Sequence, residues 1–177
     1  MIRASTESDL PSITEIYGWS VVHGVGTWEE VPPAQAEMAR RREAVLALGL
    51  PWVVAELGGQ VVGYAYAGPF RTRSGYRYTV EDSVYVAPGA RGRGVGRAML
   101  GQVLAECRPL GVHQVIAGIG DSGNLASIAL HSALGFERVG VFPKAGYKFG
   151  RWLDVVWMQL AMNGGGEVPP EGRGIPL

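Results

Sequence analysis

A segment rich in glycine and arginine, residues 89–97, has the residue types that bind a small anion. It lies between a β-rich run ending at Val86 and an apolar run with helical spacing. Glycines let a backbone approach a ligand closely, and the first N–H groups of a helix lack partners within that helix. The helix dipole also favours a negative group there. The segment therefore predicts a phosphate-binding turn, to which Arg91, Arg93 and Arg97 can add positive charge.

Two familiar phosphate-binding motifs do not fit this segment. A P-loop ends in Gly-Lys-Ser or Gly-Lys-Thr, and neither occurs here. A dinucleotide-binding fingerprint that began at Gly92 would need glycine at position 97, where the chain has Arg97. The alternative is a turn that only joins a strand to a helix.

Composition limits the class of protein that carries this turn. The chain has 177 residues, enough for one domain with its own core. Its 16 basic and 16 acidic residues give a net charge of zero, which argues against a nucleic-acid partner. The single cysteine, Cys107, excludes an internal disulfide and a multi-cysteine zinc site, and we expect no metal. No run suits a signal peptide or membrane span, so we expect a cytoplasmic protein.

The order of predicted elements indicates how the turn is positioned. The expected elements are helices starting near Ser8 and after Pro33, strands at 52–57, 60–67 and 76–86, a helix at 94–107, a strand at 114–119, a helix at 124–134, and strands at 136–141 and 153–161. Hairpin-linked strands cannot form a purely parallel sheet, so we expect an α+β fold with helices on both faces. We place the domain at 1–162 and a flexible Gly/Pro-rich tail at 163–177.

Two motifs together resemble the GNAT N-acetyltransferases. The run Arg91-Gly92-Arg93-Gly94-Val95-Gly96 is similar to the Arg/Gln-x-x-Gly-x-Gly/Ala signature that holds the pyrophosphate of acetyl-CoA in that family. The run from Asn124 to Phe136 resembles a second signature, an Asn-led helix that ends in Leu-Gly-Phe. The resemblance implies the GNAT fold, a mixed, mostly antiparallel sheet of six to seven strands, with acetyl-CoA as co-substrate.

Further blocks resemble the phosphinothricin N-acetyltransferase branch, whose relatives include methionine sulfoximine and methionine sulfone acetyltransferases. The matching blocks are residues 51–56, 63–67, 69–73, 80–86 and 146–155. The branch implies that a small amino-acid-like amine attacks the thioester directly, and that the enzyme is a homodimer. Alternatives are another amine, such as a polyamine, an aminoglycoside or a protein N-terminus, and a non-catalytic acyl-CoA sensor. The presence of Glu81 argues against the sensor.

The resemblance assigns catalytic roles to Glu81 and His131. The attacking amine must be neutral, so Glu81 is expected to act as general base, directly or through water. His131 stands where many family members have tyrosine, and would protonate the leaving thiolate. The alternatives are a carboxylate that only pairs with an arginine and a histidine that only packs on a helix surface. Cys107, in an apolar helix without a paired base, gives no support for a covalent intermediate.

The resemblance also implies how acetyl-CoA is held. Main-chain groups of the strand would contact the pantetheine arm, the glycine-rich turn would contact the diphosphate, and the Asn-led helix would add hydrogen bonds. The expected cofactor-binding residues are Val84, Tyr85, Val86, Arg91, Gly92, Arg93, Gly94, Val95, Gly96, Arg97, Asn124 and Ser127. The segment before Asn124 is one residue longer than the family spacing, which would shift the start of its helix.

Side chains from separate segments are expected to line the acceptor pocket. Two arginines after a strand can hold a carboxylate or phosphinate through bidentate hydrogen bonds, which favours an anionic acceptor. The expected substrate-binding residues are Trp28, Phe70, Arg71, Arg73, Tyr78 and Thr79. Trp28 stands where the branch usually has phenylalanine. Lys144 or Lys148 could enter the pocket from the C-terminal hairpin.

Overall fold

The chain folds as one seven-stranded sheet with helices packed on its two faces. A computed structural model describes all residues, 1–177. The helices are α1 Leu10–His23, α2 Gln35–Ala47, α3 Val95–Cys107 and α4 Leu125–Ser132. The strands are β1 Ile2–Ala4, β2 Trp52–Leu57, β3 Gln60–Pro69, β4 Thr79–Val86, β5 Gln114–Gly120, β6 Glu137–Lys148 and β7 Arg151–Ala161. The sheet order is β1-β2-β3-β4-β5-β7-β6, which confirms the predicted mixed α+β architecture.

The only parallel pair, β4 and β5, forms the opening in the sheet. These strands pair over three residues each, from Thr79 opposite Gln114 to Glu81 opposite Ile116. Beyond that point β4 continues along β3 and β5 continues along β7, so the two strands separate. Beyond Glu81 and Ile116, the edges of β4 and β5 that face each other are therefore not paired with any strand.

Side chains along β4 point alternately to the two faces of the sheet, and a layer of helices packs on each face. The ring of Tyr85 packs edge-on against Tyr17 of α1, with the ring centroids 5.0 Å apart. Val84 and Val86 point to the opposite face and lie beside Gly96 of α3. The core includes fully buried residues of both layers, such as Ile13 on α1 and Met99 on α3.

The sequence analysis missed strand β1 and set the wrong boundaries for β4 and β6. β1 has only three residues, too few for a detectable apolar period, and it pairs antiparallel with β2. β6 does not end at 141 but continues to Lys148, because its exposed second half is held by pairing with β7. Residues 76–78 precede β4 rather than belong to it.

The C-terminal segment, predicted to lie outside the fold, packs on the domain. Ile175 is 4% exposed and belongs to the core cluster, and its N–H donates to the oxygen of Arg77. The Tyr78 hydroxyl donates to Gly172, and Nδ1 of His113 lies 2.9 Å from the oxygen of Gly165. Glycine and proline content pointed to a tail, whereas one apolar side chain and these long-range hydrogen bonds hold the segment in place. No helix of the chain is both long and apolar enough to cross a membrane.

Candidate active site

A cleft of about 1270 Å³ occupies the opening between β4 and β5. One side is built from β4, the turn before α3, and α4. The other side is built from β5, Val155 and Trp157 of β7, and the 24–28 loop that follows α1. The opening in the sheet thus brings together segments from almost the whole length of the chain.

The main chain of β4 offers free hydrogen-bonding groups to the cleft. Ala87 donates to Val62 of β3, and Thr79 accepts from Phe70, so the odd-numbered residues of β4 pair with β3. The N–H and C=O groups of Val84 and Val86 therefore point to the open side, where the oxygen of Val86 accepts from Arg91 and the other three groups are free. Those of Tyr85 point to β3, so Tyr85 lines the cleft without offering the main-chain contacts that were expected of it.

The glycine-rich turn forms the cradle that was predicted at the start of α3. Gly94, the N-cap, has a φ of 77°, in the left-handed region that favours glycine. The N–H groups of Val95, Gly96 and Arg97 have no main-chain partner. A Cβ on Gly96 would lie 2.7 Å from Leu130 of α4, so glycine is what lets the two helices and β4 meet closely. This cradle, with the free edge of β4, fits the diphosphate and pantetheine arm of acetyl-CoA.

The three arginines of the turn take different positions. Arg97 and Arg91 line the cleft, whereas Arg93 does not. The Arg91 guanidinium stacks 4.3 Å from the ring of Trp19, and its Nε donates to the oxygen of Val86. Arg91 therefore bridges α1 and β4 across the mouth of the cleft, and Arg97 is left to add positive charge beside the first turn of α3.

Asn124 and Ser127 shape the first turn of α4. Asn124 accepts a hydrogen bond from the N–H of Ser127 and donates from Nδ2 to the oxygen of Gly120, 3.0 Å away. Asn124 is thus the N-cap of α4, despite the extra residue before it. Both side chains also line the cleft.

Glu81 lies where the two strands begin to separate. A Cβ on Gly118 of β5 would lie 3.1 Å from its Oε1, so the glycine makes room for the carboxylate. Burial raises the pKa of Glu81, the charge of Arg71 lowers it, and the charge of Asp82 raises it. No ion pair involves Glu81, which disfavours the alternative of a carboxylate that serves only to pair with an arginine. A carboxylate whose pKa is raised in this way is a better proton acceptor than a free one, as the role of general base requires.

His131 is buried in the cleft wall and bonded on both ring nitrogens. Its Nε2 lies 3.0 Å from Oδ2 of Asp82 on β4, and its Nδ1 lies 2.7 Å from the main-chain oxygen of Ser127. Burial alone would lower the pKa of His131, but the hydrogen bond to Asp82, the charge of Asp82 and the Ser127 contact raise it. His131 therefore packs inside the protein and is not a helix-surface residue.

The 24–28 loop carries Trp28 into the cleft and is held by long-range contacts. Nζ of Lys148 on β6 is buried and donates to the oxygens of Gly24 and Thr27, at 3.0 and 2.9 Å. The hydroxyls of Tyr17 and Thr27 are 2.8 Å apart. Lys148 thus positions the loop from outside the cleft. It does not enter the cleft, contrary to the expectation that Lys144 or Lys148 could do so.

Glycines of two distant strands make room for the Trp28 ring. A Cβ on Gly146 would overlap that ring, and a Cβ on Gly120 would lie 3.0 Å from it. Trp28 is 40% exposed and lines the cleft. The ring of Trp28 therefore fits only because β5 and β6 carry no side chain at Gly120 and Gly146.

The predicted substrate-binding residues divide into two groups. Trp28 and Arg71 line the cleft, whereas Phe70, Arg73, Tyr78 and Thr79 do not. Phe70 supports the wall indirectly, because it packs edge-on against Trp157 and lies 4.2 Å below the Arg71 guanidinium. Tyr78 was assigned to the cleft because it is close to Glu81 in sequence. It precedes β4, on the side away from the cleft, and there it contacts the C-terminal segment.

Sequence reasoning missed Asp82, Trp157 and the positioning role of Lys148. Asp82 and Trp157 both line the cleft. A signal for Asp82 existed, since an acidic residue next to Glu81 on a strand must point to the opposite face, where α4 lies. Nothing in the local sequence around Trp157 indicated a cleft, because β7 reads as an ordinary apolar strand.

Two other kinds of chemistry find no site here. No group of three or more His, Cys, Asp or Glu side chains could hold a metal ion. Cys107 is buried in α3 and does not line the cleft, and burial raises the pKa of its thiol to about 12. A thiol with such a pKa is a poor nucleophile.

Comparisons with known proteins agree with this geometry. The chain is 50% identical over 170 residues to a phosphinothricin N-acetyltransferase of Alcaligenes faecalis, covering 96% of this chain and 86% of the relative. It is 43% identical to an L-methionine sulfoximine/L-methionine sulfone acetyltransferase of Salmonella typhimurium, covering 92% of this chain and 94% of the relative.

A solved structure and a family model match proteins of the same kind as these two relatives. The crystal structure of a GNAT superfamily phosphinothricin acetyltransferase from Sinorhizobium meliloti in complex with acetyl-CoA matches with a TM-score of 0.95 and 47% identity, over 99% of this chain and 95% of that one. The model of the acetyltransferase (GNAT) family matches residues 13–136. The chain therefore belongs to the GNAT acetyltransferase family, as its two sequence motifs predict.

Proposed function

We propose that the protein is an acetyl-CoA-dependent N-acetyltransferase for small amino-acid-like amines of the phosphinothricin, methionine sulfoximine or methionine sulfone type. The observation that carries the proposal is Glu81, a partly buried carboxylate without an ion-pair partner in a cleft that also contains a free anion cradle. The identity to enzymes named for these acceptors supports the same conclusion.

The residues divide the work between proton transfer and binding. Acetyl-CoA supplies an acetyl group activated as a thioester. Glu81 takes a proton from the acceptor amine, so that the nitrogen can attack with its lone pair. The N–H groups at the start of α3 hold the diphosphate, and Val84 and Val86 pair with the pantetheine amides. His131 is proposed to stabilise the departing thiolate by its charge, and the sulfur takes its proton from solvent, because both ring nitrogens of His131 are bonded to Asp82 and Ser127. No enzyme-bound acetyl group is needed, since Cys107 is remote and protonated.

Charge in the cleft favours an acceptor that carries an acidic group. Arg71 is exposed, lines the cleft and has no ion-pair partner. Of the three acidic residues that line the cleft, Asp121 is paired with Arg151 and Asp82 with His131, and Glu81 is the proposed base. A polyamine would place several positive charges near Arg71, whereas an amino-acid carboxylate or phosphinate would pair with it. Arg73 is proposed to have a lesser role, because it does not line the cleft.

A panel of acceptors tests the proposal. Release of free thiol from acetyl-CoA is measured with phosphinothricin, methionine sulfoximine, methionine sulfone, a polyamine, an aminoglycoside and a peptide with a free N-terminus. We expect turnover with at least one of the first three and none with the polyamine. Turnover confined to the last three would refute the acceptor class. Tight acetyl-CoA binding without turnover on any amine would instead indicate a sensor.

We further propose a cytoplasmic homodimer that associates through the β6–β7 hairpin. The hairpin lies at the edge of the sheet and exposes four aromatic side chains. These are Phe142, Tyr147, Phe149 and Trp152. Light scattering after size exclusion should give twice the mass of one chain, and Trp152→Glu should give the monomer. The lone buried Cys107 is compatible with a reducing compartment.

A further inference from the structure

A buried acidic residue next to the general base in sequence links β4 to α4. Asp82 and His131 are paired at 3.0 Å, and their side chains are 2% and 5% exposed. Asp82 follows Glu81 directly, but its side chain points to the opposite face of the sheet. Both residues of the pair line the cleft.

Hydrogen bonding at the ring indicates how many protons His131 carries. The main-chain oxygen of Ser127, 2.7 Å from Nδ1, can only accept, so Nδ1 carries a proton. The second oxygen of Asp82, Oδ1, is buried and has no protein partner. A buried carboxylate needs a positive partner, and His131 is the one group within ion-pair distance of Asp82. A carboxylate at this position can only accept a hydrogen bond, and the contact with Nε2 then gives the ring its second proton.

The other groups around the ring do not supply a competing charge. Phe136 packs edge-on against the ring, with the centroids 5.0 Å apart. From α3, Cys107 faces the same interior as a neutral thiol, because burial, then Glu106 and Asp82, raise its pKa to about 12. From α4, only the oxygen atoms of Ser127 reach the ring. Glu81 interacts with Asp82 through its charge and has Arg71 on its other side.

We propose that Asp82 is a positioning residue that holds His131 as a doubly protonated imidazolium in the wall of the cleft. Asp82 acts through His131 and does not itself contact the acceptor. The pKa of His131 is raised because the hydrogen bond and charge of Asp82 outweigh the effect of burial. The same carboxylate raises the pKa of Glu81, after burial itself. Asp82, which the sequence analysis did not identify, thus acts on both Glu81 and His131.

The consequence for the reaction rests on the proposed transferase function. An acceptor amine attacks only when neutral, which favours a pH well above the ordinary histidine pKa of about 6.5. A histidine without Asp82 would lack one of its two protons at such a pH. With Asp82, a positive charge remains in the wall of the cleft while the amine is deprotonated.

The test reads the protons of His131 directly in the full-length protein without ligands. The chain has three histidines, so ¹⁵N labelling of histidine and His131→Asn as an assignment variant identify the ring signals. The nitrogen shifts are followed from about pH 5 to about pH 9. In the wild type, both nitrogens should keep the shifts of an imidazolium well past the ordinary pKa. In Asp82→Asn, which keeps the size of the side chain, one nitrogen should lose its proton near that pKa.

Controls separate this proposal from a general charge effect and from the proposed function. Glu56→Gln removes an equal charge on β2 and should leave the His131 titration unchanged. A wild-type His131 with only one protonated nitrogen at neutral pH would overturn the proposal, whether or not Asp82→Asn folds. Thiol release by the wild type tests the transferase separately. In active Asp82→Asn, turnover should fall about tenfold more at high pH than at low pH, while the acetyl-CoA KM stays unchanged.

Discussion

The two sides of the cleft are built in different ways. The side proposed to bind acetyl-CoA, here the cofactor side, is made by β4, α3 and α4 and offers mainly main-chain groups, with Gly96 at the point where these elements meet. The side proposed to bind the amine, here the acceptor side, is made by the 24–28 loop, Arg71 and Trp157 and offers side chains. The buried ammonium of Lys148 on β6 holds the 24–28 loop, and Gly146 of β6 and Gly120 of β5 leave room for the ring of Trp28 in this wall.

This difference separates a general task from a particular one. Main-chain N–H groups bind a diphosphate whatever the neighbouring side chains are, so the cofactor side depends on backbone shape. Side chains that meet from distant segments determine which amine fits, so the acceptor side can change without loss of the cofactor. Four sets of variants test whether the two sides are independent, and a fifth experiment measures the stability of the fold; they are ordered here from the largest expected effect to the smallest.

Glu81 lies where the two sides meet, and its removal should have the largest effect. In Glu81→Gln, turnover should fall at least about 100-fold, because the variant cannot take the amine proton. Acetyl-CoA binding, measured by calorimetry, should be unchanged, since the amide keeps the shape of the side chain. Near-normal turnover across the pH range would remove Glu81 from the role of base.

Arg71 and Arg73 are a matched pair for the acceptor side. Arg71→Ala should lower kcat/KM for an acidic acceptor about 30-fold, because a charge-assisted hydrogen bond contributes about 2 kcal/mol. Arg73→Ala should change it less than about threefold, since Arg73 does not line the cleft. The acetyl-CoA KM should stay constant in both. Equal losses in the two variants would show that both arginines bind the acceptor.

Gly96 tests the cofactor side through close packing. Gly96→Val should raise the acetyl-CoA KM about tenfold, because the added side chain pushes α3 away from Leu130 and opens the cradle. Gly101→Ala, in the same helix with open space around it, should leave that KM unchanged and add about 0.5–1 kcal/mol of stability. An unaltered KM in Gly96→Val would contradict the cradle.

Substitution of Lys148 tests whether the acceptor side depends on a hydrogen-bonding side chain outside the cleft. Lys148→Met should raise the acceptor KM about fivefold to tenfold, because the 24–28 loop loses two hydrogen bonds that place Trp28. Lys144→Met, an exposed lysine on the same strand, is the control and should have no effect. A loss of acetyl-CoA affinity in Lys148→Met would show that the two sides are coupled.

Glu81 should also reduce the stability of the fold by a small, pH-dependent amount. Burial raises its pKa in the folded protein, so ionisation opposes folding. The cost is absent below the ordinary pKa of about 4.3 and grows as the pH rises through the raised value. Glu81→Gln should therefore unfold at higher denaturant concentration than the wild type at neutral pH, and this gain should vanish in acid. A gain that does not depend on pH would have another cause.

Much of the cofactor side could be predicted from the sequence. The turn at Gly92 to Gly96 and the Asn-led start of α4 are local motifs, whose function depends on backbone groups a few residues apart. The acceptor side could be predicted only in part. Arg71 and Trp28 were found, but Tyr78 and Thr79 were assigned to the cleft because they are near Glu81 in sequence, and Tyr78 lies at the other end of the sheet.

The sequence by itself determined the α+β architecture, the glycine-rich turn before α3 and the candidate base Glu81. These features follow from apolar periodicity and from short motifs, both of which act over a few neighbouring residues. Only the tertiary structure decided that Asp82 meets His131, that Lys148 supports Trp28, and that Ile175 is buried in the core. Each of these contacts joins residues far apart in the chain, so their pairing depends on how strands and helices pack and not on any local pattern.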